Sequence, residues 1–326
     1  MSDENMHPVG SEPAWSESYY FNFVDPESKI GMFTRMGFRP GSGWADALHV
    51  VYLPGKRVLF TYGRREIKPD LTRYDQDLQA GHLQLECVSP HKHWRIHYDG
   101  AAQDIDDPSI LLTRSKERPV GWYTPAHLRM NLDFNCITEP HYAAAGAKGH
   151  FEQSGQVSGE IRLDDHTWTV HGYGVRDKSW GPRDWGAGLH RSPTEKPSSQ
   201  GPSPFVNWFS LNFGADVAMG GACVVDTDGV MRGTGWMQNE GQSTDLKEVE
   251  ISTDYENNSI LHRAIQMNVT TQDGQQIALS GEVLNVCPTK IAMPGGATFV
   301  NEGLTQFTWG ERVGYGIAEH WHAIRL

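Results

Sequence analysis

Four cysteines in 326 residues, Cys87, Cys136, Cys223 and Cys287, are too few and too scattered to organise this chain. None stands in a Cys-x-x-Cys pair, so neither a zinc knuckle nor a disulfide scaffold is indicated, and buried free thiols are expected. Positive charge is also short. The formal net charge is -12 and no Lys/Arg-rich run offsets it, which argues against a nucleic-acid surface because nothing would balance phosphate repulsion. No apolar stretch approaches the roughly 20 residues of a membrane span. The start, Met1-Ser2-Asp3-Glu4-Asn5-Met6-His7-Pro8, lacks the basic opening and apolar core of a signal peptide, so a soluble, cytoplasmic protein is expected. Nucleotide and hydrolase signatures are missing too: there is no G-x-x-x-x-G-K-[ST], no G-x-S-x-G elbow and no H-E-x-x-H. Gly172-Tyr173-Gly174 lacks both the third glycine and the following helix of a dinucleotide loop. No organic cofactor is expected.

Long amphipathic helices are absent as well, and β patterning takes their place. Period-two alternation with aromatic and β-branched residues marks Tyr19 to Phe23, His49 to Leu53, Val58 to Tyr62, His82 to Val88, Trp94 to Tyr98, Leu128 to Phe134, Val157 to Leu163 and Thr167 to Tyr173. It continues through Phe205 to Phe213, Val217 to Val225, Leu246 to Ser252, Ile265 to Thr271, Gln276 to Val283, Thr298 to Asn301, Thr305 to Trp309 and Tyr315 to His320. Turn signals such as Asp226-Thr227-Asp228-Gly229 and Gln272-Asp273-Gly274 separate these runs at hairpin spacing. The pattern predicts an all-β chain built as antiparallel barrels or sandwiches, and the length suits two of them. The division expected is 1–165 and 166–326. Three stretches read as irregular connections: residues 1–14, Ala101 to Pro119, and the Ser/Pro/Gly-rich Arg191 to Pro204.

One segment stands apart from this pattern. Gly172-Tyr173-Gly174-Val175-Arg176-Asp177-Lys178-Ser179-Trp180-Gly181-Pro182-Arg183-Asp184-Trp185-Gly186 carries two Arg-Asp pairs, two tryptophans and four glycines. That mixture predicts a loop of special backbone geometry, with charges held against aromatic walls. Such a loop is a structural clasp or an active site.

Together with Trp15-Ser16-Glu17-Ser18-Tyr19-Tyr20-Phe21-Asn22-Phe23, this segment resembles the AttH-like and carotenoid 1,2-hydratase (hydroxyneurosporene synthase) superfamily. Weaker likeness lies around Gly149-His150-Phe151-Glu152-Gln153 and Gly314-Tyr315-Gly316-Ile317-Ala318-Glu319. The resemblance implies two lipocalin-like β-barrel domains, on a scaffold whose relatives include cofactor-independent cyclases and hydratases. It further implies that Asp177 matches an aspartate thought to protonate a carbon-carbon double bond. The tyrosine and histidine that precede that aspartate in the family are Val175 and Arg176 here, which favours a different member reaction, or a binding role, on the same scaffold.

The chemistry of Asp177 depends on its neighbours. Burial among Trp180, Trp185, Trp168 and Tyr173 would push its pKa up and make it an acid, whereas pairing with Arg176 or Arg183 would keep it ionised. His150 and Glu152 share one strand parity and could offer a base with a carboxylate to orient it; otherwise they form an ordinary polar edge. Tyr315 and Glu319 are cavity candidates if the last strand closes a barrel. His91, His93 and His97, and separately His320 and His322, are spaced to place imidazoles on one face, yet nothing supplies a complete metal ligand set, and no metal is expected. Two readings remain. The first is a cofactor-independent lyase or isomerase (hydratase, dehydratase or cyclase type) moving a proton on a hydrophobic terpenoid, steroid-like or aromatic molecule. Asp177 and His150 would be its catalytic groups, with Trp180, Trp185, Tyr173, Arg176, Glu152, Tyr315 and Glu319 around the substrate. The second is a carrier or sensor of a similar ligand. Either way the expected partner is a hydrophobic small molecule, with no nucleic acid, no membrane span, and a homodimer left open.

Overall fold

Alternating apolar and polar side chains carry most of this chain into antiparallel strands, because successive residues of a strand point to opposite faces. The structure is a computed structural model that describes residues 2–12, 14–144, 148–183, 185–186, 204–225, 231–239 and 241–325. Two compact units are present, one comprising residues 1–106 and 123–183, the other residues 107–122 and 184–326. The fold is all-β, as the patterning predicts.

The first unit contains β1 (Trp15–Asp25), β2 (Ile30–Arg39), β3 (Trp44–Tyr52), β4 (Val58–Glu66), β5 (Leu78–Ala80), β6 (Leu83–Ser89), β7 (His93–Ile105), β8 (Thr124–Cys136), β9 (His141–Ala144), β10 (Gly149–Leu163) and β11 (His166–Pro182). Its sheet runs β4-β3-β2-β1-β11-β10-β8-β7-β6-β5, with β9 added on β10. A further pairing of β4 with β7, at Val58 with Ile105 and Leu59 with Asp104, joins the flanks into a ring. Aromatic and aliphatic side chains fill that ring, among them Phe21, Phe23, Trp94, Phe134 and Phe151. Exposed strands such as β7 alternate buried and exposed positions, whereas every residue of β1 is buried.

The second unit is a closed barrel of β12 (Val206–Phe213), β13 (Val217–Val225), β14 (Met231–Asn239), β15 (Gln242–Tyr255), β16 (His262–Thr271), β17 (Gln276–Met293), β18 (Gly296–Trp309) and β19 (Arg312–Arg325). Each strand pairs with the next in sequence and β12 pairs with β19, so the barrel leaves no open sheet edge. Phe209, Leu211, Met219, Val249, Met267 and Phe307 form part of its core.

Three differences from the sequence reading have physical causes. The segment expected to be a loop is strand from Gly172 to Pro182, continuous with β11 and paired on both sides. Its glycines serve close strand approach: a Cβ on Gly172 would stand 2.3 Å from the Val24 carbonyl oxygen, and one on Gly174 1.7 Å from that of Asn22. Gly181, still within the strand, already takes a φ of +112°, and the turn comes only afterwards, where Trp185 and Gly186 take φ values of +54° and +76°. The connection expected from Ala101 to Pro119 starts later, because Ala101 to Ile105 complete β7 and short 3-10 turns follow at Pro108–Leu112 and Ser115–Glu117. Strands β2, β5, β9 and β14 escaped notice. β2 is buried on both faces, β14 is interrupted by Gly233 and Gly235, and β5 and β9 are too short to show a period, so none alternates cleanly. Most of Arg191 to Pro204, and the Asp226–Gly229 turn signal, lie outside the described residues. All four cysteines are free thiols, and no helix among the described residues is long and apolar enough to cross a membrane.

Candidate active site

Because β11 is a strand, its charged residues divide between two faces. Arg176, Lys178 and Trp180 point one way; Val175, Asp177 and Ser179 point the other. Adjacent in sequence, Arg176 and Asp177 therefore do not share an environment.

The first face is turned into the core. The Arg176 guanidinium donates to Glu4 at 2.6 and 3.0 Å and to the Gln153 Oε1 at 2.7 and 3.0 Å. It lies 5.2 Å from the Trp94 ring centre and 5.1 Å from that of Phe151. Two residues on, the Lys178 ammonium pairs with Glu17 and sits 4.4 Å from the centre of the Tyr19 ring. Burial lowers the Lys178 pKa despite the opposing charge of Glu17. Glu17 also accepts the His7 backbone N–H at 3.0 Å and meets the His7 Nδ1 at 2.9 Å. The His7 ring stacks on Trp180 with centres 4.1 Å apart, and Trp180 in turn covers Gly149, where a Cβ would come within 2.0 Å of the indole. Of residues 1–14, expected to be a polar irregular leader, the described ones form no strand or helix, but Glu4 and Met6 are buried in the unit. Arg176 is thus occupied by the leader and Gln153, and Trp180 belongs to the core.

The opposite face gathers the chemistry. Cross-strand pairing places Glu152 beside Asp177, Asp177 beside Tyr20, and Tyr20 beside Arg35; one rung along it places His150, Ser179 and Ser18 in line. The His150 Nε2 lies 3.0 Å from a Glu152 carboxylate oxygen, and its Nδ1 lies 4.0 Å from the Asp177 Oδ1. Burial pulls the His150 pKa down, but the Glu152 hydrogen bond and the charges of Asp177 and Glu152 outweigh it, leaving the pKa raised. The side chain of Glu152 is 4% exposed, that of Asp177 16% and that of His150 25%, so the group opens outward through the imidazole. Ser18 and Ser179 share a hydrogen bond of 3.0 Å, and Arg183 donates to the Ser179 Oγ at 3.1 Å. Arg35 is pushed down to about 10 by burial, which the nearby Asp46 opposes. A pocket of about 50 Å³ adjoins the group, bordered by Ser16, Gly149, His150, Ser179 and Arg183 and also by Trp180, the one expected substrate-side residue of the core face that reaches it. It is large enough for a water.

The other residues expected at the site have other surroundings. Tyr173 is half-buried on the Asp177 side of β11, but four residues away, roughly 13 Å along the strand. Trp168 takes the opposite parity, that of Trp180, and packs against the core near the start of β11. Trp185, Tyr315 and Glu319 belong to the second unit. There Trp185 stacks on Trp321 at 5.1 Å, the Tyr315 hydroxyl donates to Gln306 at 3.0 Å, and Glu319 accepts from the Trp321 indole. The last strand does close the barrel, yet Tyr315 and Glu319 lie on the face of β19 opposite the core residue Ala318. His91 sits in the turn before β7, while His93 meets Asp133 and His97 meets Asn131 on the exposed face. Among the described residues no group of three His, Cys, Asp or Glu side chains is arranged to hold a metal. Tyr20, Ser18, Ser179 and Arg35 were missed as site neighbours. The only sequence signal for them was the parity of Tyr20 and Ser18 within a motif already noticed.

Solved structures share this architecture. A putative AttH from Nitrosomonas europaea aligns over 98% of this chain and 95% of its own, with 14% identity and a TM-score of 0.61. Kievitone hydratase from Nectria haematococca aligns over 100% and 92%, with 7% identity and a TM-score of 0.57. CghA, solved also with Sch210972, aligns over 96% and 89%, with 10% identity and a TM-score of 0.54. At such identities the likeness is one of fold, and at that level the AttH-like resemblance read from the sequence holds. No curated protein sequence matches. By sequence, over residues 1–324, the chain belongs to the family described as a domain of unknown function, DUF7064.

Proposed function

We propose that this protein is a lyase-type enzyme that adds water to, or removes it from, a hydrophobic small molecule by proton transfer, with His150, Glu152 and Asp177 as its proton-handling group. The observation that carries the reading is the placement of one imidazole between two carboxylates, with its protonated form favoured. Dehydration needs an acid for the leaving hydroxyl and a base for the adjacent C–H. Protonated His150 gives its proton to the hydroxyl oxygen, the C–O bond breaks and water departs. The Asp177 carboxylate takes the proton from the neighbouring carbon, and that C–H electron pair becomes the double bond. The proton on Asp177 then returns to His150 across the gap of 4.0 Å, which a small shift on substrate binding closes. Hydration is the same sequence reversed.

Glu152 holds the imidazole in place and favours its charged state. The adjoining pocket suits the water that such a reaction consumes or releases. Only a proton and a water change places, so the scheme needs no organic cofactor. Support from outside the chain is the shared fold with an enzyme named a hydratase.

The test is a panel of hydrophobic alcohols and alkenes incubated with the purified protein, read by mass spectrometry for gain or loss of one water. Asp177→Asn and His150→Gln should each lower turnover about 100-fold or more while the fold survives. Undiminished turnover in both variants would overturn the assignment, and a panel member that binds but is recovered unchanged would favour a carrier.

A further inference from the structure

The closed barrel of the second unit holds a second polar group that the proton-transfer reading does not use. On β19, His320 and His322 take the parity of Ala318, so they point to the core side of the wall. Asn207 of β12 and Asn301 of β18 are the cross-strand partners of His320 on either side, forming one rung. Above that rung lies His262 of β16, its ring centre 4.1 Å from that of His320, and the Tyr255 hydroxyl is 3.3 Å from the His320 Nδ1. Gly303 makes room for this stack, since a Cβ there would stand 2.1 Å from the His262 Nε2. Asn207, His262, Asn301, His320 and His322 are each at most 3% exposed.

The hydrogen bonding of this layer is one-sided. His262 donates from Nε2 to the Ala318 carbonyl at 2.9 Å, so its Nδ1 is a bare acceptor, and that atom is buried with no partner. The Asn301 amide nitrogen donates to the Ile260 carbonyl at 2.9 Å, while its Oδ1 has no partner. The Asn207 Oδ1 is likewise buried without a partner. Three acceptors in one layer are left without a donor, and each buried orphan costs on the order of 1–3 kcal/mol. Burial pushes the His262 pKa down to about 3, so this ring does not supply the missing proton by charging. Two residues further along the same strands stand Phe209 and Ala318, part of the apolar core.

We propose that this layer is a binding site for the hydroxyl head group of an apolar alcohol or phenol, whose single O–H donates to the bare Nδ1 of His262. Burial disfavours the charged forms of His262, His320 and Tyr255, and the amides carry no charge, so a neutral hydroxyl fits where an ammonium would find no counter-charge. The apolar body of the ligand meets the Phe209 side of the barrel. This site lies within the second unit and does not depend on the role of His150 and Asp177.

Phenol and toluene, nearly equal in shape, make the test, with binding measured calorimetrically and the imidazole nitrogens followed by 15N NMR of the full chain. Phenol should bind at least about 10-fold more tightly than toluene, the scale of one buried hydrogen bond to an otherwise orphaned acceptor. It should also shift the His262 Nδ1 resonance. Asn207→Leu removes a different orphaned acceptor without removing any observed hydrogen bond, and should leave both the phenol preference and the His262 shift in place; loss of the preference would overturn the placement of the hydroxyl on His262. The NMR measurement on the unaltered protein keeps the test decisive if that variant does not fold. Equal affinity for the two probes, or a His262 signal indifferent to phenol, would overturn the proposal and leave the layer filled by water. Zn2+ shifting the same signals at one equivalent while phenol does not would overturn it in favour of a metal.

Discussion

The two faces of β11 both carry charge and put it to opposite uses. On the core face, Arg176 and Lys178 each have a carboxylate partner, Glu4 and Glu17, and aromatic rings pack around both. On the other face, His150 and Asp177 stand 4.0 Å apart with part of their surface open. Closed pairing suits stability, because a buried charge with no partner is strongly disfavoured. Looser pairing suits proton transfer, because the groups remain within reach of each other and of a third molecule. A single strand thus separates a structural clasp from a candidate active site by one residue.

The sharpest way to break this contrast is to remove one carboxylate from the core face. Glu4→Gln, or Glu17→Gln, leaves a buried cation without its counter-charge and should cost about 3–5 kcal/mol in a denaturation experiment. Pairing Glu4→Leu with Arg176→Met should recover most of that loss, since the cation goes with its partner. On the other face the order of effects should invert. Asp177→Asn is expected to leave the unfolding midpoint nearly unchanged while turnover falls about 100-fold or more, which stopped assays on a converted substrate would register.

A subtler effect is the pH dependence of His150. Its folded-state pKa is raised above the unfolded value, so the stability it contributes is fully present below about pH 6.5 and is lost as pH rises through the folded pKa. Unfolding measured across that window should show the slope in the wild type and lose it in His150→Gln. Activity that depends on the imidazolium should decline over the same range. Smallest of all, Ser18→Ala removes the 3.0 Å hydrogen bond to Ser179 and should cost about 1 kcal/mol, with turnover altered only a few-fold.

Much of the fold was legible in the chain. Runs such as Trp94 to Tyr98 and Ile265 to Thr271 alternate because one face meets a core and the other meets solvent, and both are strands. Where both faces are buried, as in β2, alternation vanishes and so did the signal. The misreading of Gly172 to Pro182 as a loop has a related origin. Glycine next to charge usually marks a turn, but here the glycines admit neighbouring backbone and the charges fall on alternate sides. His150 and Glu152 were legible as a pair because i and i+2 on a strand share a face, and the structure places them in contact. Glu4 and His7 were not, since no local pattern links a polar leader to a strand more than 160 residues away.

What this sequence determined by itself was therefore local: the β class, the parity of His150 with Glu152, the absence of nucleotide motifs, and the choice of Asp177 as the carboxylate to question. Tertiary structure alone decided which charge answers which. Pairing across β1, β10 and β11 is set by register, and register is a long-range outcome of packing the apolar faces together. One step along β11 separates Arg176, held by Glu4, from Asp177, which faces His150.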